Sequence, residues 1–249
     1  MAMNSATLGC IIAALSAASP ALADGFVFES GAHRVGLLEL YTSEGCSSCP
    51  PAEAWLAKMQ SDPALWHSFV PISFHVNYWD KLGWRDRFAS KEFTKRQYDY
   101  ADAWKSSSVY TPCFILDGEE WHPTQNGGPK SDKTAAGLLR AAWNGQDNLK
   151  VVFEPVVKGG AFDAYVVLLG GGLSSKVTAG ENSGEQLAHE FVALSMARMP
   201  LTDTGELTQM AGQEWKTNPP AEARRLAVAV WVTRRGDIRP VQATGGWIR

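Results

Sequence analysis

The hydrophobic positions of this chain change period several times, and each change marks an element. Val35-Gly-Leu-Leu-Glu-Leu-Tyr41 is a short, nearly continuous apolar run, the pattern of a buried strand. From Pro51 to Met59, the residues Ala52, Trp55, Leu56 and Met59 recur at spacings of three and four, a helical stripe. Phe69 to Val76 predicts a second strand. Asn77 to Ala89 is aromatic and charged without a regular period and predicts a structured loop. Ser90 stands where it can N-cap a helix to Lys105, with Phe93, Tyr100 and Trp104 among its apolar positions. Cys113 to Leu116 and Glu119 to His122 flank Asp117-Gly118, a hairpin signal. A loop rich in Pro, Gly and Ser covers residues 123–131, and Asp132 is placed to cap a final helix ending near Trp143.

Strand, helix, strand, helix, hairpin and helix over residues 35–143 predict a small α/β layer with a mixed sheet. Asn144 to Asn148 reads as a linker. Beyond it, β-branched runs at 149–153, 164–169, 189–194, 226–233 and 238–243 are separated by glycine clusters and a proline pair, and predict a second, mainly β unit. The first 23 residues carry no charged side chain. An apolar stretch from Leu8 to Ala18 precedes Ala21-Leu22-Ala23, the cleavage pattern of a secretory signal peptide, although a short N-terminal helix of the mature fold has a similar look. The expected division is thus a signal peptide at 1–23, an α/β domain at 24–147 and a β domain at 148–249, in a periplasmic or secreted protein. No other apolar run approaches the roughly 18 residues of a membrane span.

Composition narrows the function classes. With 249 residues, 45% hydrophobic and 20% charged, the chain can bury a core without staples. A net charge of -3 excludes a polybasic nucleic-acid arm or a general binder of anionic membranes. Four cysteines are too few for a disulfide framework, and cleavage of the signal peptide leaves Cys46, Cys49 and Cys113.

Cys46-Ser47-Ser48-Cys49 lies between the predicted strand and the helical stripe. Two cysteines three apart can close a small, reducible disulfide ring. A helix N-terminus offers partial positive charge and free N–H groups, which favour a thiolate at Cys46. The first cysteine of such a turn is expected to be the more exposed, attacking a substrate disulfide while Cys49 resolves the mixed disulfide. Glu44, in the turn itself, is expected to be solvated.

The strand–cysteine pair–helix unit, with Thr111-Pro112 ahead of a hairpin and a closing helix, resembles the thioredoxin fold. More narrowly, Tyr41-Thr-Ser-Glu-Gly-Cys-Ser-Ser-Cys-Pro-Pro51 is similar to a bacterial family of exported thioredoxin-like proteins, domain of unknown function family 1223. Tyr78-Trp-Asp-Lys-Leu-Gly-Trp-Arg-Asp86, Arg96-Gln97 and Gly180-Glu-Asn-Ser-Gly184 match that family as well. The resemblance implies a thioredoxin-like α/β fold with a C-terminal, mainly β extension. It also implies that Pro112 is a cis proline facing the cysteines, beside a substrate-binding Thr111. Glu39 falls one residue from where such proteins keep a buried acid. It is either a proton relay to Cys49 or a strand glutamate left in water or paired with an arginine.

Other candidates come from placement. Tyr78, Trp79, Asp80, Trp84 and Arg85 leave the second strand at the sheet edge that carries the cysteines. They form either a substrate-facing rim or aromatic packing over the sheet. Cys113 is either a third reactive thiol or a small buried hydrophobe. The histidines His33, His67, His75, His122 and His189 show no paired metal spacing, so neither a metal nor a cofactor is expected. A copper site joining the two thiolates to His75 or His122 is the lesser alternative. The expected partners are exported protein thiols or disulfides and a redox partner, and the expected activity is thiol–disulfide exchange. A binding module with a structural disulfide is the rival.

Overall fold

Two segments, Ala164-Tyr-Val-Val-Leu-Leu169 and Leu226-Ala-Val-Ala-Val-Trp-Val232, are apolar at every position because both of their faces are covered. They are the cores of two long central strands in a computed structural model that describes residues 25–123, 128–129, 132–146, 148–202, 206–207 and 219–249. The signal-peptide segment 1–23 and most of the loop at 123–131 lie outside the described residues.

In chain order the elements are β1 (Phe26–Glu29), β2 (Gly36–Thr42), α1 (Pro50–Ala57), β3 (Phe69–His75), α2 (Lys91–Trp104), β4 (Cys113–Leu116), β5 (Glu119–Trp121) and β6 (Gly137–Trp143). They continue with β7 (Leu149–Pro155), β8 (Phe162–Gly171), β9 (Leu173–Lys176), β10 (Gln186–His189), β11 (Val192–Pro200), β12 (Glu206–Leu207), β13 (Arg225–Arg234) and β14 (Pro240–Trp247). One eight-stranded sheet has the order β14-β13-β8-β11-β3-β2-β4-β5. A second sheet runs β1-β6-β7-β12, and β9 and β10 form a separate hairpin. Among the strands of the described residues, the pairs β2/β3 and β3/β11 are parallel and the others antiparallel. Strands from both sides of residue 148 share the two larger sheets.

The expected helix-flanked α/β thioredoxin-like fold is overturned by this architecture. The described chain is mostly β, with two α-helices against fourteen strands. The segment 132–143 shows why the balance shifted. Its Leu, Arg and Ala favour a helix locally, but Leu139, Ala141 and Trp143 alternate inward in β6, and pairing with β1 and β7 prevails over propensity. Asp132 accepts from the Thr134 N–H in a local turn instead of capping a helix. At Gly137 (φ +108°) a Cβ would stand 2.2 Å from the Glu154 carbonyl oxygen, so only glycine begins this strand.

Strand parity sorts the core. Val166, Leu168, Val228, Val230 and Val232 face the second sheet, meeting Leu139, Val151 and Phe153. Tyr165, Val167, Ala229 and Trp231 face the other way and join the α2 side chains Phe93 and Tyr100. Within β2, Leu38 and Leu40 pack toward Leu56 of α1, whereas Leu37 and Tyr41 lie in the cluster shared with α2. Ser90 caps α2 by accepting from the Glu92 N–H.

Parity also places Glu39 on the α2 side. Arg96 meets it there with two hydrogen bonds, Nε to Oε2 at 2.7 Å and Nη2 to Oε1 at 2.9 Å, while the Tyr41 and Tyr100 hydroxyls donate to the same carboxylate. The guanidinium lies 4.8 Å from the Trp231 ring centroid and 5.3 Å from that of Tyr165, which ties α2 to β8 and β13. Removing one partner strands a buried charge. Arg96→Met should therefore cost about 3–5 kcal/mol in urea unfolding, and the double variant Glu39→Gln/Arg96→Met should recover a large part of that loss.

Candidate functional site

The turn from Thr42 to Cys49 joins the C-terminal end of β2 to α1. It is tightened by backbone hydrogen bonds from the Cys46 N–H to the Ser43 carbonyl and from the Cys49 N–H to the Cys46 carbonyl. Cys49 is the N-cap of α1, and prolines fill the first helical positions, where a missing N–H costs nothing. Gly45 admits Trp79, whose Cβ would lie 3.2 Å from an added side-chain carbon. The loop between β9 and β10 closes on the turn. Asn182 Nδ2 donates to the carbonyls of Glu44 (2.8 Å) and Cys46 (3.0 Å), and Glu181 Oε2 accepts from the Ser47 N–H and hydroxyl.

Cys46 and Cys49 are free thiols, and both are 0% exposed, so the expectation of an exposed Cys46 is corrected. The two are polarised in opposite senses. A hydrogen bond from the Cys49 thiol, offset in part by burial and helped by Ser48 and Thr111, lowers Cys46 to about 6. Burial, together with that same hydrogen bond, drives Cys49 far above the ordinary thiol range. Cys46 Sγ lies 3.3 Å from Ser48 Oγ and 3.7 Å from the Thr111 carbonyl oxygen, and the Thr111–Pro112 peptide is cis.

The other predicted residues divide. Trp79 Nε1 donates to Thr111 Oγ1 at 2.9 Å, and Tyr78 is close enough to both cysteines for burial and their charge to raise its phenol. Trp84 reaches the turn through Glu44, donating to Oε2 at 2.7 Å. Asp80 accepts from the Asp86 N–H and braces its own loop, and Arg85 is exposed. Glu39 belongs to the Arg96 pair on the other face of β2, so its hydrogen bonds go to Arg96, Tyr41 and Tyr100 and none to a cysteine. Cys113 is buried in the α2-side core and is pushed up to about 12, chiefly by burial, as a small hydrophobe would be.

Sequence reasoning missed the polar interior beneath the turn. Glu44 is fully buried, against expectation, because its carboxylate lies between Trp84 and His189 and its N–H is taken by Asp86 Oδ2. Asp86 also holds His75 Nδ1 at 2.7 Å, and Glu53 Oε2 lies 2.5 Å from His189 Nδ1. Burial opposes charge on both rings, yet Asp86 raises His75, and Glu44 and Glu53 raise His189 to about 10. Part of this was visible as motif. Asp86, Arg96, Glu181 and Asn182 all fall in segments that resemble the family, although nothing in their spacing shows that they converge.

A family model described as a protein of unknown function, DUF1223, matches residues 37–233, a span that contains the turn, the loop that clamps it and the buried histidines. The chain belongs to the DUF1223 family. A DUF1223 chain therefore carries this constellation on a mostly β fold with a solved counterpart. A crystal structure of a protein from Agrobacterium tumefaciens is 25% identical, with a TM-score of 0.60, covering 85% of this chain and 94% of its own. HBP35 of Porphyromonas gingivalis, 11% identical with a TM-score of 0.50 and covering 87% of this chain and 76% of its own, is similar in fold alone. Comparison with curated proteins finds no match. Among the described residues of this DUF1223 member, no helix is long and apolar enough to cross a membrane.

The opposed polarisation is measurable. Cys46 should ionise with a midpoint near 6, seen as thiolate ultraviolet absorbance lost in Cys46→Ser, and Cys49 should stay protonated through neutral pH. A midpoint at the ordinary thiol value would contradict the hydrogen-bonded arrangement. Asn182→Ala takes the Asn182 donor from the Glu44 carbonyl and one of two donors from the Cys46 carbonyl, and should lower stability by about 1–3 kcal/mol in denaturant unfolding.

Proposed function

We propose that this protein carries out thiol–disulfide exchange through Cys46 and Cys49. The observation that carries the reading is the pairing of a thiol lowered to about 6 with one raised far above neutrality, three residues apart at a helix start. The Cys46 thiolate attacks one sulfur of a substrate disulfide. The S–S bond breaks, one substrate thiolate leaves, and a mixed disulfide forms. Cys49 then loses its proton and attacks Cys46 Sγ. The second substrate thiolate is released and protonated, and a Cys46–Cys49 disulfide remains. Two electrons pass to the substrate, and a dithiol partner restores the pair; the reverse sequence oxidises a substrate dithiol.

The Thr111 carbonyl lies beside Cys46 and Trp79 braces Thr111, a wall that supports an extended protein segment as the substrate. Full burial of Cys46 requires this wall or the Glu181–Asn182 loop to move for attack. The uncharged leader ending in Ala21-Leu22-Ala23 supports a periplasmic or secreted setting, where protein disulfides form and persist. The same burial favours a second reading, a peptide-binding module whose cysteines never turn over.

Reduction of a protein disulfide by the purified chain, with a dithiol as electron source, separates the two. Cys46→Ser should fall to the uncatalysed background, and Cys49→Ser should accumulate a mixed disulfide visible on non-reducing gels. Activity unchanged in Cys46→Ser, or a wild-type pair inert to exchange, would leave the binding module.

A further inference from the structure

The polar interior beneath the cysteine turn exceeds what thiol exchange needs. Glu53 on α1, His75 at the end of β3 and His189 at the end of β10 converge there, all buried, with one ligand-capable atom of each within 4.8 Å of the others. Every one of them is oriented from behind. Asp86 Oδ2 engages His75 Nδ1 at 2.7 Å, Glu44 Oε1 lies 3.2 Å from His189 Nε2, and the Thr42 hydroxyl donates to Glu53 Oε1 at 2.7 Å. That leaves His75 Nε2, His189 Nδ1 and Glu53 Oε2 for the shared space. A carboxylate behind each imidazole is the arrangement that fixes tautomer and ring orientation at metal-bound histidines. Phe88 lies edge-on to both rings, at 5.5 and 5.4 Å, and supplies an apolar wall.

Unpartnered atoms discriminate a metal site from a self-contained ion-pair cluster. His189 Nε2 and Glu44 Oε1, 3.2 Å apart, meet as an ion pair without hydrogen-bond geometry. His75 Nε2 is wholly buried and has no hydrogen-bond partner at all. In an ion-pair cluster that nitrogen would carry a buried N–H without an acceptor or a lone pair without a donor, and either costs free energy. A cation takes up that lone pair. It would also offset two of the three negative charges of Glu44, Glu53 and Asp86 without placing protons on the rings.

We propose that Glu53, His75 and His189 hold one divalent transition-metal ion of the zinc class. Two imidazoles and one carboxylate suit zinc and its neighbours, whereas magnesium and calcium take oxygen ligands and copper(I) prefers thiolates. With tetrahedral ligand distances of about 2.0–2.1 Å, Glu53 Oε2 and His189 Nδ1 part by a little under about one ångström from their present 2.5 Å contact. The ion binds α1, β3 and β10 into one unit under the cysteine turn, and the proposal stands whether or not the cysteines exchange.

The cysteines are themselves zinc ligands, so the test uses the full chain carrying Cys46→Ser/Cys49→Ser, stripped with chelator and dialysed against zinc. It should retain one zinc per chain, melt at a higher temperature than the stripped form, and give with cobalt(II) a visible spectrum without thiolate charge-transfer bands. His75→Gln on this background should lose the ion. Asp86→Asn, which keeps the ligands, should weaken it by about 10–100-fold, and circular dichroism checks that each variant is folded. No zinc retained by the double-serine chain, or equal zinc content in a folded His75→Gln chain, would overturn the site.

Discussion

Three carboxylates and two imidazoles lie in the interior beneath the cysteine turn, and no single element of the chain satisfies any of them. Glu44 comes from the turn, Glu53 from α1, Asp86 from the loop after β3, His75 from β3 and His189 from β10. Buried charge is costly unless it is matched, so displacing any of these elements would strand charges on its neighbours. The β9–β10 hairpin, which pairs with no other strand of the described fold, is seated on the turn by this matching and by Asn182. The position of the thiols thus depends on charge balance one layer below them.

The opposite face of β2 repeats the principle with different residues. Glu39 and Arg96 neutralise each other where α2 crosses the large sheet, and the guanidinium extends that contact to the aromatic rings of β8 and β13. The two polar centres lie on either side of one strand: Glu39 faces α2, while Thr42, at the end of the strand, reaches Glu53 of α1. Each ties the N-terminal elements to later ones, which is consistent with a single sheet built from both halves of the chain.

Local signals in the sequence were legible where a period was unambiguous. The strands β2 and β3, the capped helix α2 and the Asp117-Gly118 hairpin all follow from their own residues. The segment that became β6 did not, since Leu138 to Ala142 favour a helix until β1 and β7 are available to pair. The fold class was misjudged for a related reason: runs such as Val166 to Leu169 reveal strands but not which sheet they extend. At the site, the cysteine pair and its aromatic wall were legible, and the acid–base layer was not. Glu53, His75 and His189 come together only through tertiary closure, and no spacing rule reaches across such separations. Glu39 shows how sensitive the reading is to parity, because one residue of offset moves a side chain to the other face of a strand.

Asn182 carries a consequence for the order in which this molecule is finished. Its amide shapes the turn between Glu44 and Cys46, yet it lies far downstream, and His189 follows later still. During synthesis both cysteines emerge while the residues that will seat them are still untranslated. The nascent chain therefore carries a pair of thiols whose turn still lacks the Asn182 amide. Seating of the turn by Asn182 waits on the last third of the polypeptide, whereas the groups that polarise the two thiols, Ser48, Thr111 and the cysteines themselves, are all in place by the cis proline.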